Sequence, residues 1–395
     1  MLVPLLPYST GGTSVMARDV YVIGVGMAPF GQPDANAADL GFGAGVNALG
    51  DAGIGFEEVG YLYNGYIGAG LLTGVTLAKD LGLTGIPITH VENASATGSC
   101  AFHEAVQVVA GGSVDIAMAL GFDDLNRATR AIGGSKPGIG QVILPAAFFA
   151  MWATRRMHEV GTTVETFAAI AAKNWNHARL NPYAQRRADH EVTVEEILAS
   201  RMISYPHTSK MACAAGSGAA AAIVASREVA ERVAGSRPLV KVVASQQQSE
   251  QFVDGHIFMG AVVGPGELTA ATAKAAYDEA GVGPADLDLA HVHDAFPIEE
   301  LMYYELLGVC AAGEGDKLVS EGATSLGGRI PFSTDGGLIG RGHPGGPTGL
   351  AQIWDVTRQL RGEAGPLQVE GARTGLAHMM GAGSVCVIHI LQAGR

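Results

Sequence analysis

Asn93-Ala-Ser-Ala-Thr-Gly-Ser-Cys100-Ala-Phe-His-Glu-Ala-Val106 is the stretch on which the reading of this 395-residue chain turns. Small side chains crowd up to Cys100, and apolar residues then recur at helical spacing. That pattern predicts a tight strand-to-helix turn with a helix over residues 101–110. A cysteine at such a helix N-terminus meets the positive end of the helix dipole and free backbone N–H groups. Both favour thiolate, so the segment predicts a nucleophile at Cys100. The competing reading is a small cysteine packed into an alanine-rich core.

The rest of the chain limits what that nucleophile can serve. Hydrophobic residues make up 48% and charged ones 16%, so the chain has the means to bury a large core, in two packed halves rather than one. No run of about 18 apolar residues lacks a charge or a breaker, which argues against a membrane span. The formal net charge of −13 argues against nucleic acid as a partner. Cys100, Cys213, Cys310 and Cys386 are far apart and form no C-x-x-C pair. A disulfide framework or structural zinc is therefore not expected, and a reducing, cytoplasmic setting is. No cationic leader is found, and the folded part is expected to begin near Met16.

Fifty-six glycines punctuate short apolar runs that alternate with alanine-rich helical stretches, which reads as an α/β fold. A short internal echo adds to this. Ala52-Gly-Ile-Gly-Phe-Glu-Glu-Val leads into Tyr61-Leu-Tyr-Asn, and Ala280-Gly-Val-Gly-Pro-Ala-Asp-Leu leads into Leu289-Ala-His-Val-His. In both, Ala-Gly ends a helix and an acidic residue precedes the next strand. Two related halves are expected, over 17–235 and 236–395. An excess near 125–210 reads as an insertion over one face of the core. Arg155, Arg156, Lys173, Trp175, Arg179, Arg186 and Arg187 fall in it, as binding-loop cations or as solvated surface charges.

Three further segments carry chemistry. Asp335-Gly-Gly-Leu-Ile-Gly-Arg-Gly-His-Pro-Gly-Gly-Pro-Thr-Gly is too glycine-dense for a core and suits close approach of backbone to a ligand. His343 is its only group that takes a proton near neutral pH, and beside Cys100 it would serve as base. His291-Val-His-Asp-Ala-Phe-Pro ends an apolar strand. His291 and His293 alternate onto one face, but no further ligand cluster supports a metal there, and a donor aimed at an oxyanion is the better reading. Met379-Met-Gly-Ala-Gly-Ser-Val-Cys386 places a Gly-x-Gly turn before a final strand, with Cys386 and His389 as packing residues. Gly24-Val-Gly-Met-Ala-Pro29 is a poor dinucleotide fingerprint, and no phosphate-binding P-loop occurs.

Taken in order, these segments resemble the thiolase superfamily, in its sterol-carrier-protein-x and bacterial lipid-transfer-protein branch. The likeness runs from about residue 18 to the end, and Met157-His-Glu-Val-Gly-Thr-Thr with Lys173-Asn and Asn181-Pro resembles that branch's loop domain. It implies a five-layered αβαβα fold of two duplicated halves with an inserted loop domain. It also implies a homodimer in which a strand near residues 88–92 pairs across the two-fold. Cys100 would be acylated by a coenzyme A thioester, His343 would take its proton, and His293 would help to hold the enolate oxygen. Coenzyme A enters as substrate rather than as a resident cofactor, with Gly342, Gly381 and Gly383 as candidate contacts.

One departure bears on the reaction. Relatives that make or cleave carbon–carbon bonds carry a second cysteine, either where this chain has Met379 or where it has Ala295. Neither side chain transfers a proton, and Cys213, Cys310 and Cys386 match neither place. Asp335 also stands where many relatives have Asn. Three readings stay open: an acyltransferase of fatty-acid or steroid side-chain metabolism, a retro-aldolase working with a small zinc-ribbon/OB-fold partner, and a non-catalytic acyl-CoA or lipid binder.

Overall fold

Apolar runs buried on both faces form most of the central strands; the strands are β1 (Val20–Ala28), β2 (Tyr61–Gly65), β3 (Ile88–Val91), β4 (Ile116–Asp124), β5 (Met202–Ser204), β6 (His207–Thr208), β7 (Ser217–Ser226), β8 (Val240–Ser249), β9 (Leu289–His291), β10 (Thr374–Gly381) and β11 (Val385–Ala393). The helices are α1 (Ala37–Ala52), α2 (Thr73–Leu81), α3 (Thr97–Ala110), α4 (Pro145–Val160), α5 (Val164–Leu180), α6 (Val194–Ala199), α7 (Arg227–Val233), α8 (Gly266–Ala280), α9 (Pro297–Leu306), α10 (Gly315–Ser320), α11 (Gly337–Gly340) and α12 (Thr348–Arg361). This computed structural model describes residues 18–32, 35–68, 70–124, 145–251, 266–382 and 384–394. The expected start at Met16 and the candidate Gly383 lie outside them.

Nine strands join in the order β3-β2-β4-β7-β1-β8-β11-β10-β9. The duplication is written in the pairing. β2 runs parallel to β4, β4 antiparallel to β7, and β7 antiparallel to β1. In the same way β9 runs parallel to β10, β10 antiparallel to β11, and β11 antiparallel to β8. The halves meet where Val20, Tyr21 and Val22 pair antiparallel with Val242, Lys241 and Val240. β3 is an extra edge strand beside β2, and at the matching place in the second half Phe332 makes a single parallel bridge to Ala290. The echoed segments do the same work in each half. Gly53 and Gly281 end α1 and α8 in the left-handed conformation (φ 68° and 66°), and a 3-10 turn then leads to β2 or β9.

Helices α3 and α12 lie between the half-sheets. One apolar cluster takes Phe102 and Val106 from α3, Leu350 and Ile353 from α12, and strand residues of both halves, among them Val22, Ala222, Val242 and Leu391. Helices α1, α2 and α7 cover the outer face of the first half. Helices α8 and α9, with the inserted α4 and α5, cover that of the second. The result is five layers, αβαβα. Small residues make the stacking close: a Cβ on Gly24 or Gly26 of β1 would overlap the α1 backbone at Ala48 or Ala44.

Two of the inserted segment's cations, Arg156 and Lys173, fasten it to the core, and others pack within it. Arg156 bridges Glu305 (2.7 Å) and Asp316 (2.9 Å). Trp175 donates to the Lys210 carbonyl (2.9 Å) with Arg186 and Lys210 over its ring. Lys173 pairs with buried Glu300. Arg155 makes only a surface pair with Glu159. For these five side chains of the seven, contacts within the protein account for what the sequence left open between binding and surface.

Candidate active site

The turn before α3 is built from its own side chains. Ala94 adopts a left-handed φ of 48°, and the Thr97 hydroxyl donates to the Ala94 carbonyl (2.6 Å) while accepting from the Asn93 N–H (2.9 Å). The helix starts at Thr97 rather than at residue 101. Cys100 therefore sits a turn inside it, with its N–H already given to the Ala96 carbonyl (2.9 Å). Its side chain is buried against Ala96, Met379 and Val387, and Asn93 Nδ2–H donates to Sγ at 3.2 Å. Burial pushes the thiol up to about 12, with the Asn93 hydrogen bond pulling the other way. The expectation of a lowered thiol pKa is thus corrected: desolvation outweighs the helix terminus, and the resting group is a thiol.

His343 comes from the second half, on the glycine-rich loop before α12. Asp123 of β4 fastens this loop to the first half by accepting from Gly346 N (3.1 Å) as well as from Ile67 N (2.9 Å) and Gly68 N (3.0 Å). The glycines let chains touch: a Cβ on Gly98 would overlap the Gly346 carbonyl. The Thr348 hydroxyl gives its proton to the Pro344 carbonyl, so it accepts from His343 Nδ1–H (2.9 Å). That fixes the tautomer. Nε2 keeps a lone pair, which meets the Ser95 hydroxyl at 2.9 Å. Burial first, then the neighbouring His293 and Arg341, hold the ring well below the usual histidine range, so it stays neutral. Arg341 also explains Asp335, since the two form a fully buried pair.

His293 lies just past the end of β9 and is 7% exposed. Its Nδ1 faces Glu299 Oε1 on α9 at 2.9 Å, and a carboxylate there requires Nδ1 to be the donor. Nε2 is buried with no partner. The His293 and His343 rings are 5.4 Å apart, edge to face. His291 does not join them. It is held by Asp355 (2.9 Å) and Thr334 (3.1 Å), and among the described residues no group of three or more His, Cys, Asp or Glu could hold a metal.

Comparison with known proteins follows the same division. The family profile "Thiolase, N-terminal domain" matches residues 20–228, and "Thiolase C-terminal domain-like" matches 266–393. The chain belongs to the thiolase family. Within it, the chain is 35% identical over 406 residues to sterol carrier protein 2 of Gallus gallus (97% of this chain, 73% of the relative). It is also 35% identical over 378 residues to benzoylsuccinyl-CoA thiolase subunit BbsB of Thauera aromatica (93% and 96%). A solved "Ltp2-ChsH2(DUF35) aldolase" superposes with a TM-score of 0.83 at 24% identity, covering 97% of this chain and all of that one, which speaks to the fold.

In this thiolase the two positions lacking the second cysteine are both buried. Met379 packs on Cys100, and the Ala295 carbonyl accepts from Cys213 N at 2.8 Å. Cys213 matches neither motif position in sequence, yet the fold lays it beside Ala295. Of the candidate glycines, Gly342 has φ 118°, and a Cβ on Gly381 would overlap the Asn93 carbonyl, so Gly381 lets β10 approach the Cys100 turn. Asn93, Ser95, Thr348 and Glu299 are the polar partners that sequence reasoning passed over. The first two stood in the opening stretch and were read only as small or turn-forming. Glu299, six residues after His293 on another element, obeys no spacing rule that would have flagged it.

Proposed function

We propose that this chain is an acyltransferase of thiolase type that takes the acyl group of a coenzyme A thioester onto Cys100, in fatty-acid or steroid side-chain metabolism. One observation carries the reading: the Ser95 hydroxyl, from the Cys100 turn, meets the lone pair of His343 Nε2 at 2.9 Å, across 248 residues of sequence. Neutral His343 takes the thiol proton, Sγ attacks the thioester carbonyl, and coenzyme A departs as thiol with that proton. A thiol that ionises only as its proton is received stays protected until substrate arrives. His293, with Nδ1–H committed to Glu299, keeps its Nε2 unpartnered beside the His343 ring. The thin edge strand β3, paired on one side only, supports a homodimer joined there.

Native mass spectrometry after mixing with acetyl-, propionyl- and octanoyl-CoA reads both points. The expected species is twice the 40.5 kDa chain with one acyl group on each Cys100, absent in Cys100→Ala. Bound coenzyme A without an adduct would favour a binder. Cleavage of a β-hydroxyacyl-CoA that survives Cys100→Ala would favour the aldolase reading and a search for a zinc-ribbon/OB-fold partner.

A further inference from the structure

The missing second cysteine leaves the proton at the substrate α-carbon without a carrier. Several groups compete for that task. Met379 and Ala295 have no transferable proton. Cys213 is beside Ala295 through its backbone, but among the described residues no polar side chain is directed at its sulfur by a hydrogen bond, and burial pushes its thiol up to about 12. His378 is spent on other contacts: its Nδ1 accepts from His293 N (3.4 Å) and its Nε2 lies 3.5 Å from the Thr269 hydroxyl. His343 is held by Thr348 and Ser95 and is already assigned the Cys100 proton. Among the described residues, His293 alone combines a carboxylate on one ring nitrogen with an unpartnered, buried nitrogen on the other.

We propose that His293 and Glu299 form the proton shuttle of this thiolase, with His293 Nε2 as the base for the substrate α-carbon and Glu299 as the positioning residue behind it. The inference rests on the acyl-CoA reading above. Glu299 fixes the Nδ1–H tautomer, which aims a lone pair rather than a proton out of Nε2. Tyr303 adds a hydroxyl donor to the same carboxylate oxygen (3.3 Å), holding it in place. The α C–H bond breaks, its electron pair becomes the thioester enolate, and the proton rests on Nε2. The resulting imidazolium lies against the Glu299 carboxylate, trades its Nε2 proton with solvent, and returns one proton when carbon is protonated. No oxidant, reductant or further reactant is consumed. Two rings of the same tautomer then divide the work, His343 serving sulfur and His293 serving carbon.

The test separates carbon from sulfur. Wild-type protein with propionyl-CoA in D2O is expected to incorporate deuterium at the α-carbon, read by mass spectrometry of the recovered thioester, while acylation is read as the mass gained on Cys100. Glu299→Gln is expected to slow deuterium incorporation about 100-fold and to slow it far more than acylation, with His293→Asn losing it altogether. Cys213→Ser is expected to exchange as wild type does. Acylation without any α-exchange in the wild type overturns the shuttle, as does exchange that survives in His293→Asn or disappears in Cys213→Ser. If Glu299→Gln fails to fold, seen by thermal melting, the Cys213→Ser and His293→Asn proteins still decide. Exchange without an adduct on Cys100 would instead retire the acylation reading and leave the shuttle standing.

Discussion

Two opposing influences act on the sulfur of Cys100. Burial raises its pKa toward about 12, and the Asn93 amide pulls it back. A hydrogen bond to a group that becomes charged is worth about 1.5–3 kcal/mol, and the amide bonds more strongly to thiolate than to thiol. Asn93→Ala is therefore expected to slow Cys100 acylation about 10- to 100-fold, measured as the rate of mass gain with propionyl-CoA, with stability little changed. The polar partners of His343 and His293 work at this scale too. Each ring has its Nδ1–H assigned by a neighbour, so each presents Nε2 as a base. That Cys100, His343 and His293 were candidates was legible in the residues. The ionisation of Cys100 and His343 was not, because a side chain's desolvation sums over atoms brought from many distant segments.

At the scale of elements, the site depends on α3 and the His343 loop touching backbone to backbone. Gly98 sits in the first turn of α3, where a methyl group would strike the Gly346 carbonyl, a rigid neighbour. Gly98→Ala is expected to cost about 1–3 kcal/mol in urea denaturation and to slow adduct formation by shifting His343 relative to Cys100. Gly43→Ala in α1, where nothing lies within 4 Å, is the control and should be neutral or gain up to about 1 kcal/mol. The strand-to-helix turn was foreseen because its small residues and helical spacing are local. The start at Thr97 was missed by four residues because Thr97 closes the turn with its own hydroxyl, so a residue read as linker became the first of the helix.

For the whole molecule, burial of histidines sets the response to acid. Burial lowers His177, His378 and His389 to about 3 and His103 and His207 to about 4. Their folded values lie below the unfolded value near 6.5, so the unfolded chain binds protons first as pH falls. Stability is intact above pH 6.5 and is lost progressively toward the folded values, each ring costing about 1 kcal/mol per pH unit. Asp123, Asp294 and Glu279, raised by burial, act in the opposite sense but are fewer. The urea midpoint is expected to fall between pH 7 and pH 5.5, and a flat profile would count against neutral buried rings. The sequence by itself determined the fold class, the duplicated halves and the insertion, since helix ends, strand runs and glycine-rich turns are properties of neighbouring residues. Only the tertiary structure decided that the half-sheets join through β1 and β8. It also decided that Ser95 meets His343, that Glu299 stands behind His293, and that Cys213 lies beside Ala295. Those contacts join residues whose separation along the chain carries no periodic signal, and packing alone brings them together.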